Sequence, residues 1–344
     1  MKAVYFQKTG SISNLEWGDF PKREKIKPGE VRLKFLAGSL NHLDLWVLKG
    51  LPRVRYTFPH LCGADLCGEV IESKSKKFKL KEKVLLYPGT SLGKDSLGRP
   101  CPENLCDDFK IRGENAPGVF AEEIVASDRY LIKAPKHLTS IEAASIPLVY
   151  LTAWQMIEKA ELKPGKISTV PILVNGVGSG VSQALLNILN SFGAKRIAFT
   201  SRSEAKFGDW KKTPGFTGFT LSENTYDDLK SWAKPDGISV VFDHVGEALF
   251  ETNIRLLKRG GKLVTCGATS GHKGNLDLRH LYFRQLQLLG STMGSLKHFK
   301  DVIRWIEKKK IHPKISKTFP LQNIQEAYQY LESGSQTGKI VLTP

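Results

Sequence analysis

The chain has 344 residues, more than a single core ordinarily holds, so two domains are expected. Hydrophobic residues at 41% and charged residues at 25% exclude a disordered or fibrous chain, and no apolar run approaches the roughly 18 residues of a membrane span. The 51 Lys and Arg against 34 Asp and Glu leave a net charge of +17, which draws anionic ligands and keeps a nucleic-acid partner open as the weaker reading.

Residues 1–130 read mainly as β, with alternation at 31–36 and short strands at 68–71, 83–86 and 121–125; residues 42–49 are the one helical piece. The opening MKAVYFQKTG lacks the apolar core of a signal peptide, so a cytoplasmic protein with no membrane partner is expected. Five cysteines, at 62, 67, 101, 106 and 266, are an odd and sparse set that fits reduced thiols better than a disulfide framework. Lysines at 74, 76, 77, 79, 81 and 83 are broken by Phe78 and Leu80, the pattern of a solvated loop and not of a base-stacking surface.

At residue 140 the pattern changes to a helix that runs to 162 and stops before Pro164-Gly165. Residues 168–202 then form the centre of the chain: a β-branched strand at 170–174, three glycines between 175 and 180, a helical stripe at 182–192 and a second strand at 196–200. A glycine turn that runs straight into a helix aims unpaired N–H groups and the positive end of the helix dipole at one spot, which suits a dinucleotide diphosphate. Glycines alone also occur in such units that bind nothing; here the strand before, the helix after and the second strand all stand where binding needs them. Helices at 227–232 and 248–257 alternate with strands at 237–242, 261–266 and 286–289, which implies a doubly wound parallel sheet. A helix beginning near Ser295 closes on the lysines 308–310, another spans 324–331, and a last strand at 339–342 points to a return into the first domain. The organisation expected is therefore 1–139 and 294–344 as a β-rich domain around 140–293 as a nucleotide-binding domain, with substrate in the cleft between them.

Several motifs stand in one order: Gly29-Glu30-Val31, the run Asn41-His42-Leu43-Asp44-Leu45-Trp46, Cys62-Gly63-Ala64-Asp65, Pro147 to Trp154, the glycine turn, Asp243-His244-Val245-Gly246, Cys266-Gly267 and Gly338-Lys339. Together they resemble the medium-chain dehydrogenase/reductase superfamily, which includes zinc alcohol dehydrogenases and zinc-free quinone reductases. The resemblance implies an α/β chain: a GroES-like β-rich catalytic domain plus a Rossmann sheet, hydride transfer from a nicotinamide, and a homodimer or homotetramer. It also exposes a departure. The three places of the catalytic zinc ligands look like Asn41, Ala64 and Leu148, and the structural zinc lobe retains only Cys106 of four cysteines, so no zinc is expected.

Without a Lewis acid, a quinone or an α,β-unsaturated carbonyl is a better hydride acceptor than an alcohol is a donor. NADPH is the expected cofactor, because Thr200-Ser201-Arg202-Ser203 and Lys206 offer hydroxyl and cationic donors where an NAD site places a carboxylate. The cofactor candidates are Thr152, Gly176, Gly178, Ser179, Gly180, Val181, Ser201, Arg202, Lys206, His244, Gly246, Gly267 and Lys339; the catalytic candidates are Asn41, His42 and Tyr56. Ser179 and Ser182 stand where zinc-free relatives carry glycine, which keeps a second reading open: a non-catalytic nucleotide- or RNA-binding relative with a degraded turn. Substrate choice is expected to reside in loops such as 51–58 and 270–284.

Overall fold

The computed structural model describes residues 1–52 and 54–344; Arg53, in the 51–58 loop, lies outside the described residues. The chain divides into two compact units, Met1–Leu151 with Gly294–Pro344, and Thr152–Met293.

In the first unit the alternation of Val31, Leu33 and Phe35 builds the strand Glu30–Ser39, which pairs antiparallel with Asp65–Ser73, Glu123–Ser127 and Lys339–Thr343. The sheet runs Leu131–Lys133, Lys83–Leu86, Asp65–Ser73, Glu30–Ser39, Lys339–Thr343, Ile315–Pro320. The last strand of the chain thus returns to the first domain, with Val341 opposite Ser39. Inward side chains of these strands meet Phe6, Phe120 and Tyr328 in one core.

In the second unit, six strands lie parallel in the order Phe216–Thr220, Ile197–Ser201, Ile172–Val174, Ile238–Asp243, Leu257–Thr265, Gln287–Gly290. This is the doubly wound order in which the sheet reverses direction beside its first strand, and ligands gather at the carboxyl ends there. Ile172, Leu173 and Val174 are all 0% exposed, as a strand covered on both faces requires. The GroES-like and Rossmann halves of the α/β fold are both present.

The helix expected from 140 to 162 is two helices, Ser140–Ala144 and Pro147–Lys159. Pro147 has no N–H and disfavours helical geometry in Ile146, so the first helix stops and a second begins. Residues 140–151 belong to the first unit, whereas the sequence reading began the second domain at 140. Local bonds explain why: Ser39 Oγ donates to the Ala144 carbonyl at 3.0 Å, and the Leu148 N–H donates to Asp65 Oδ1 at 2.8 Å. The edge strand Phe216–Thr220, absent from the sequence reading, contains Gly218, and the Phe207 ring fills the space of its missing side chain. The expectation of reduced thiols is also corrected: Cys101 and Cys106 form a disulfide, because the short turn Glu103–Leu105 folds the loop back and brings their Cα atoms to 6.1 Å. Cys62, Cys67 and Cys266 are free, and burial pushes the Cys67 and Cys266 thiols up to about 12. Among the described residues, no helix is long and apolar enough to cross a membrane.

Candidate functional site

The glycine turn joins Ile172–Val174 to the helix Gly180–Ser191, whose N-cap is Ser179. Gly176 adopts φ +65°, and a Cβ there would meet His244 Cε1 and Nε2 at 2.9 Å, so glycine is required on both counts. Ser179 Oγ accepts from the Ser182 N–H at 3.1 Å, an ordinary helix cap. Ser182 Oγ is buried and donates to the Asn175 carbonyl at 2.6 Å. Both serines are therefore built into the turn. The N–H groups of Gly178, Gly180 and Val181 have no acceptor among the described residues and lie partly exposed at the positive end of the helix.

A buried polar layer holds this turn from below. Asn175 Nδ2 donates to Asp243 Oδ1 at 3.0 Å and to Asn253 Oδ1 at 2.9 Å, while Thr200 Oγ1 donates to Asn175 Oδ1 at 2.8 Å. Asp243 Oδ2 accepts from the Gly246 N–H at 2.9 Å, which fixes the loop that carries His244. Sequence reasoning named Thr200 only as a hydroxyl donor to the cofactor and Asp243 only as part of a motif, and it missed their place in this layer together with Asn175 and Asn253. The available signal was a polar residue ending each of the buried strands 197–201 and 238–243.

His244 lies over the turn. Its Nε2 is 2.8 Å from Ser179 Oγ and 3.2 Å from Ser182 Oγ. Burial holds the imidazole below its ordinary range, with Asp243 pulling the other way. Gly246 has φ +86°, and Gly267 passes close to the His244 carbonyl. At the end of the neighbouring strand, Ser201 is buried, Arg202 is exposed and Lys206 is partly buried. Burial and then the Arg202 charge lower the Lys206 pKa, so two cations stand together, and Arg202 has no carboxylate partner among the described residues. Thr152 is buried at 5% exposure on the helix Pro147–Lys159.

The first unit collects a second set. Asn41 precedes the helix His42–Lys49, and Asp44 Oδ2 accepts the Asn41 backbone N–H at 2.7 Å. Asp65 is 0% exposed; its Oδ2 accepts from Ser39 Oγ at 2.8 Å, Asn41 Nδ2 at 3.0 Å and Lys339 Nζ at 3.1 Å. Lys339 also donates to the Leu40 carbonyl at 2.7 Å and to Asn41 Oδ1 at 2.6 Å. Lys339 thus spends its donors inside the first unit, on Leu40, Asn41 and Asp65. Burial pulls the Lys339 ammonium below its ordinary range and Asp65 opposes that pull.

Tyr56 is partly buried against Phe6, Phe58 and His60, and its oxygen accepts the Leu51 N–H at 2.9 Å, which leaves its O–H proton to donate. His42 opens its helix with its ring 6.4 Å from that of Trp46.

The places that would carry zinc ligands do not fit a dication. Ala64 and Leu148 have no donor atom, the Asn41 side chain is engaged at both ends, and an ammonium stands 2.6 Å from its oxygen. Among the described residues, no group of three or more His, Cys, Asp or Glu is placed to hold a metal ion.

Residues 27–136 match the alcohol dehydrogenase GroES-like domain family, and residues 215–342 match the zinc-binding dehydrogenase family. A zinc-type alcohol dehydrogenase-like protein of Schizosaccharomyces pombe is 30% identical over 99% of this chain and 99% of its own. An acryloyl-coenzyme A reductase of Sulfurisphaera tokodaii is 27% identical over 92% of this chain and 94% of its own. The crystal structure of an NAD-dependent alcohol dehydrogenase, 36% identical, superposes with a TM-score of 0.90 and covers 100% of both chains. The chain belongs to the medium-chain dehydrogenase/reductase superfamily of oxidoreductases.

Proposed function

We propose that this protein is an NADPH-dependent reductase that delivers hydride to an α,β-unsaturated carbonyl compound or a quinone without a catalytic metal. The observation that carries the proposal is the exchange of chemistry around Asn41: ligand places hold an amide, an alanine and a leucine, and the nearby cation is the Lys339 ammonium. An activated acceptor takes hydride at the β-carbon, the charge moves to oxygen and a proton follows at the α-carbon, so no Lewis acid is required to generate an alkoxide. When bound, the nicotinamide cofactor supplies the hydride. The chain's own residues hold its phosphates at the free amides of Gly178, Gly180 and Val181 and its 2′-phosphate at Ser201, Arg202 and Lys206. Tyr56, with its oxygen already accepting a bond, supplies the proton. The acryloyl-coenzyme A reductase relative, whose name describes an enone-type thioester substrate, supports this acceptor class.

The test is a titration of the metal-analysed protein with NADPH and NADH, followed by turnover with a simple enone and with an alcohol. We expect substoichiometric zinc and faster enone reduction than alcohol oxidation. Arg202→Ala should weaken NADPH by about tenfold to a hundredfold, near the loss of one charge-assisted contact, and leave NADH within about twofold. One zinc per chain, or equal losses for the two cofactors, would overturn the assignment.

The assembly proposed is a homodimer formed through the strand Gln287–Gly290. It is the last strand of the sheet, its outer edge is unpaired among the described residues, and Leu278, Tyr282, Phe283 and Leu288 beside it are exposed. Leu288→Lys should shift light-scattering mass from two chains toward one at low micromolar concentration. An unchanged mass would count against this edge.

A further inference from the structure

Arg32 shows what a structural buried arginine looks like in this chain. It is 6% exposed, meets Glu72 at 2.9 Å and Glu123 at 3.6 Å, and donates to the carbonyls of Arg23 and Glu24, each at 2.8 Å. Arg112, partly buried, is different. Its Nε donates to the Tyr87 carbonyl across a long 3.4 Å, and its guanidinium carbon lies 5.9 Å from the centre of the Tyr130 ring. Among the described residues it has no carboxylate partner, and Nη1 and Nη2 have no acceptor. Arg129 holds the Tyr130 ring more closely, at 5.4 Å, and pairs with Glu103 at 3.3 Å. Burial pulls the Arg112 guanidinium down to about 10 from 12.5, so it still carries its charge at neutral pH. Glu114 does not compensate it: burial alone pushes that carboxyl up, with no pull from Arg112. A ring at the outer limit of cation–π range and one long bond return less than taking a guanidinium out of water costs. The two terminal nitrogens are not sealed inside the protein, so a ligand can reach them.

The turn that carries Arg112 is fixed against the candidate substrate residues of the first unit. The Arg112 N–H donates to the Pro88 carbonyl at 2.9 Å. The Gly113 carbonyl accepts from His60 Nε2 at 2.9 Å, and the ring centres of His60 and Tyr56 are 5.1 Å apart. Gly113 has φ +74°, and a Cβ there would meet the Gly63 carbonyl oxygen at 2.7 Å, so this turn presses on the chain beside Ala64, one of the places where a zinc ligand is replaced. Arg112 therefore belongs to a segment joined to the proton donor Tyr56 through a single side chain, His60.

We propose that Arg112 binds an anionic group of the substrate, a carboxylate or a phosphate, at the end remote from the carbonyl that is reduced. The free N–H groups on Nη1 and Nη2 form a fork that takes two anionic oxygens side by side, which supplies the countercharge and the acceptors that the protein itself leaves out. The inference rests on the reading of this unit as the acceptor side of a reductase and narrows that acceptor to an acidic one. The net charge of +17 draws such molecules toward the chain.

The experiment measures kcat/KM of the full chain with NADPH for short vinyl ketones whose alkyl chain ends in a carboxylate, a phosphate monoester or a methyl ester. Wild type should favour one of the two anions over the ester by about tenfold or more, and the anion that wins identifies the group that is read. In Arg112→Leu that preference should fall by about tenfold to a hundredfold, mainly through KM, while turnover of the ester stays within about threefold; Arg112→Lys, which keeps the charge without the fork, should retain part of it. Arg112→Leu should also melt no lower than wild type, because it removes a partly buried charge that has no carboxylate. Arg112→Gln repeats the test with a polar side chain. A wild type without anion preference, or losses in Arg112→Leu and Arg112→Gln that are equal for ester and anions, overturns the role of Arg112. Titration with hexanoate, a saturated carboxylate, needs no turnover. If wild type reduces no enone yet binds hexanoate in an Arg112-dependent way, the reductase reading falls and the anion site stands. Hexanoate binding that is absent, or unchanged in Arg112→Leu, overturns the anion site.

Discussion

Asp65→Ala is expected to destabilise the first unit by about 3–5 kcal/mol, the cost of stripping one partner from a buried ion pair. Asp65 is the common acceptor for Ser39, Asn41, Lys339 and the Leu148 N–H, and it is 0% exposed. Its removal leaves the Lys339 ammonium buried with two neutral acceptors, the Leu40 carbonyl and Asn41 Oδ1. Replacing both charges by apolar groups of similar size is a different operation, because desolvation of the pair offsets most of its Coulombic gain. Asp65→Leu with Lys339→Met should therefore recover much of the loss. Thermal unfolding reads both, and a drop of about 10 °C is expected for Asp65→Ala in a unit of this size. A shift smaller than about 2 °C would remove the pair from the account of this region. Activity separates from stability in the double variant: it should stay folded yet reduce an enone poorly, because the Asn41 amide then keeps only its long 3.5 Å contact with the Ser39 carbonyl.

The same cluster sets a pH dependence. Burial, reinforced by Asp65, pushes the Asp44 carboxyl up to about 7 from an ordinary 3.8, although its Oδ2 accepts the Asn41 N–H. Between those values the folded chain holds a proton that the unfolded chain has released, so stability falls as pH rises from about 4 to about 7. Asp44→Asn should flatten that slope.

How much of this was legible depended on sequence distance. The helix His42–Lys49 and the strand Lys83–Leu86 stand where local pattern put them, because a helical run after Asn41 and a short apolar run after lysine are decided within a few residues. The order of the parallel sheet followed from alternating elements and right-handed crossovers. Pro147 and Pro171 were visible but underweighted: each shortened an element that the apolar pattern alone extended. The partners of Asn41 were not legible at all. Asp65 is 24 residues away and Lys339 is 298 away, and no spacing rule joins a strand start to a C-terminal strand until the sheet that pairs Ser39 with Val341 exists. Lys339 was taken as a cofactor contact for its place in a motif, and its bonds lie instead with Asn41 and Asp65. The serines of the glycine turn read as possible defects because sequence shows a missing glycine and conceals the cap and the carbonyl that use the hydroxyls.

Gly176→Val is the substitution expected to reduce cofactor binding most, by about a hundredfold or more, which corresponds to roughly 2.7 kcal/mol. Two separate costs add. At φ +65° a β-branched residue is strained by about 1–3 kcal/mol, and relief would swing the N–H groups of the turn away from the ligand. In addition, a Cβ at this position meets the His244 ring at 2.9 Å, so the ring must leave Ser179 and Ser182. The buried strand Ile172–Val174 and the layer of Asn175, Asp243 and Asn253 do not depend on the Gly176 side, so far-ultraviolet circular dichroism should be preserved while NADPH titration fails. Pairing Gly176→Ala with His244→Ala tells the two costs apart. If crowding dominates, the alanine at 176 costs little once the ring is gone, and the double variant binds as His244→Ala does. If the dihedral angle dominates, the loss at 176 persists at full size in either background. Gly176→Val binding NADPH within about threefold of wild type would mean that the diphosphate does not approach this turn, and the assignment of the glycine turn would fall with it.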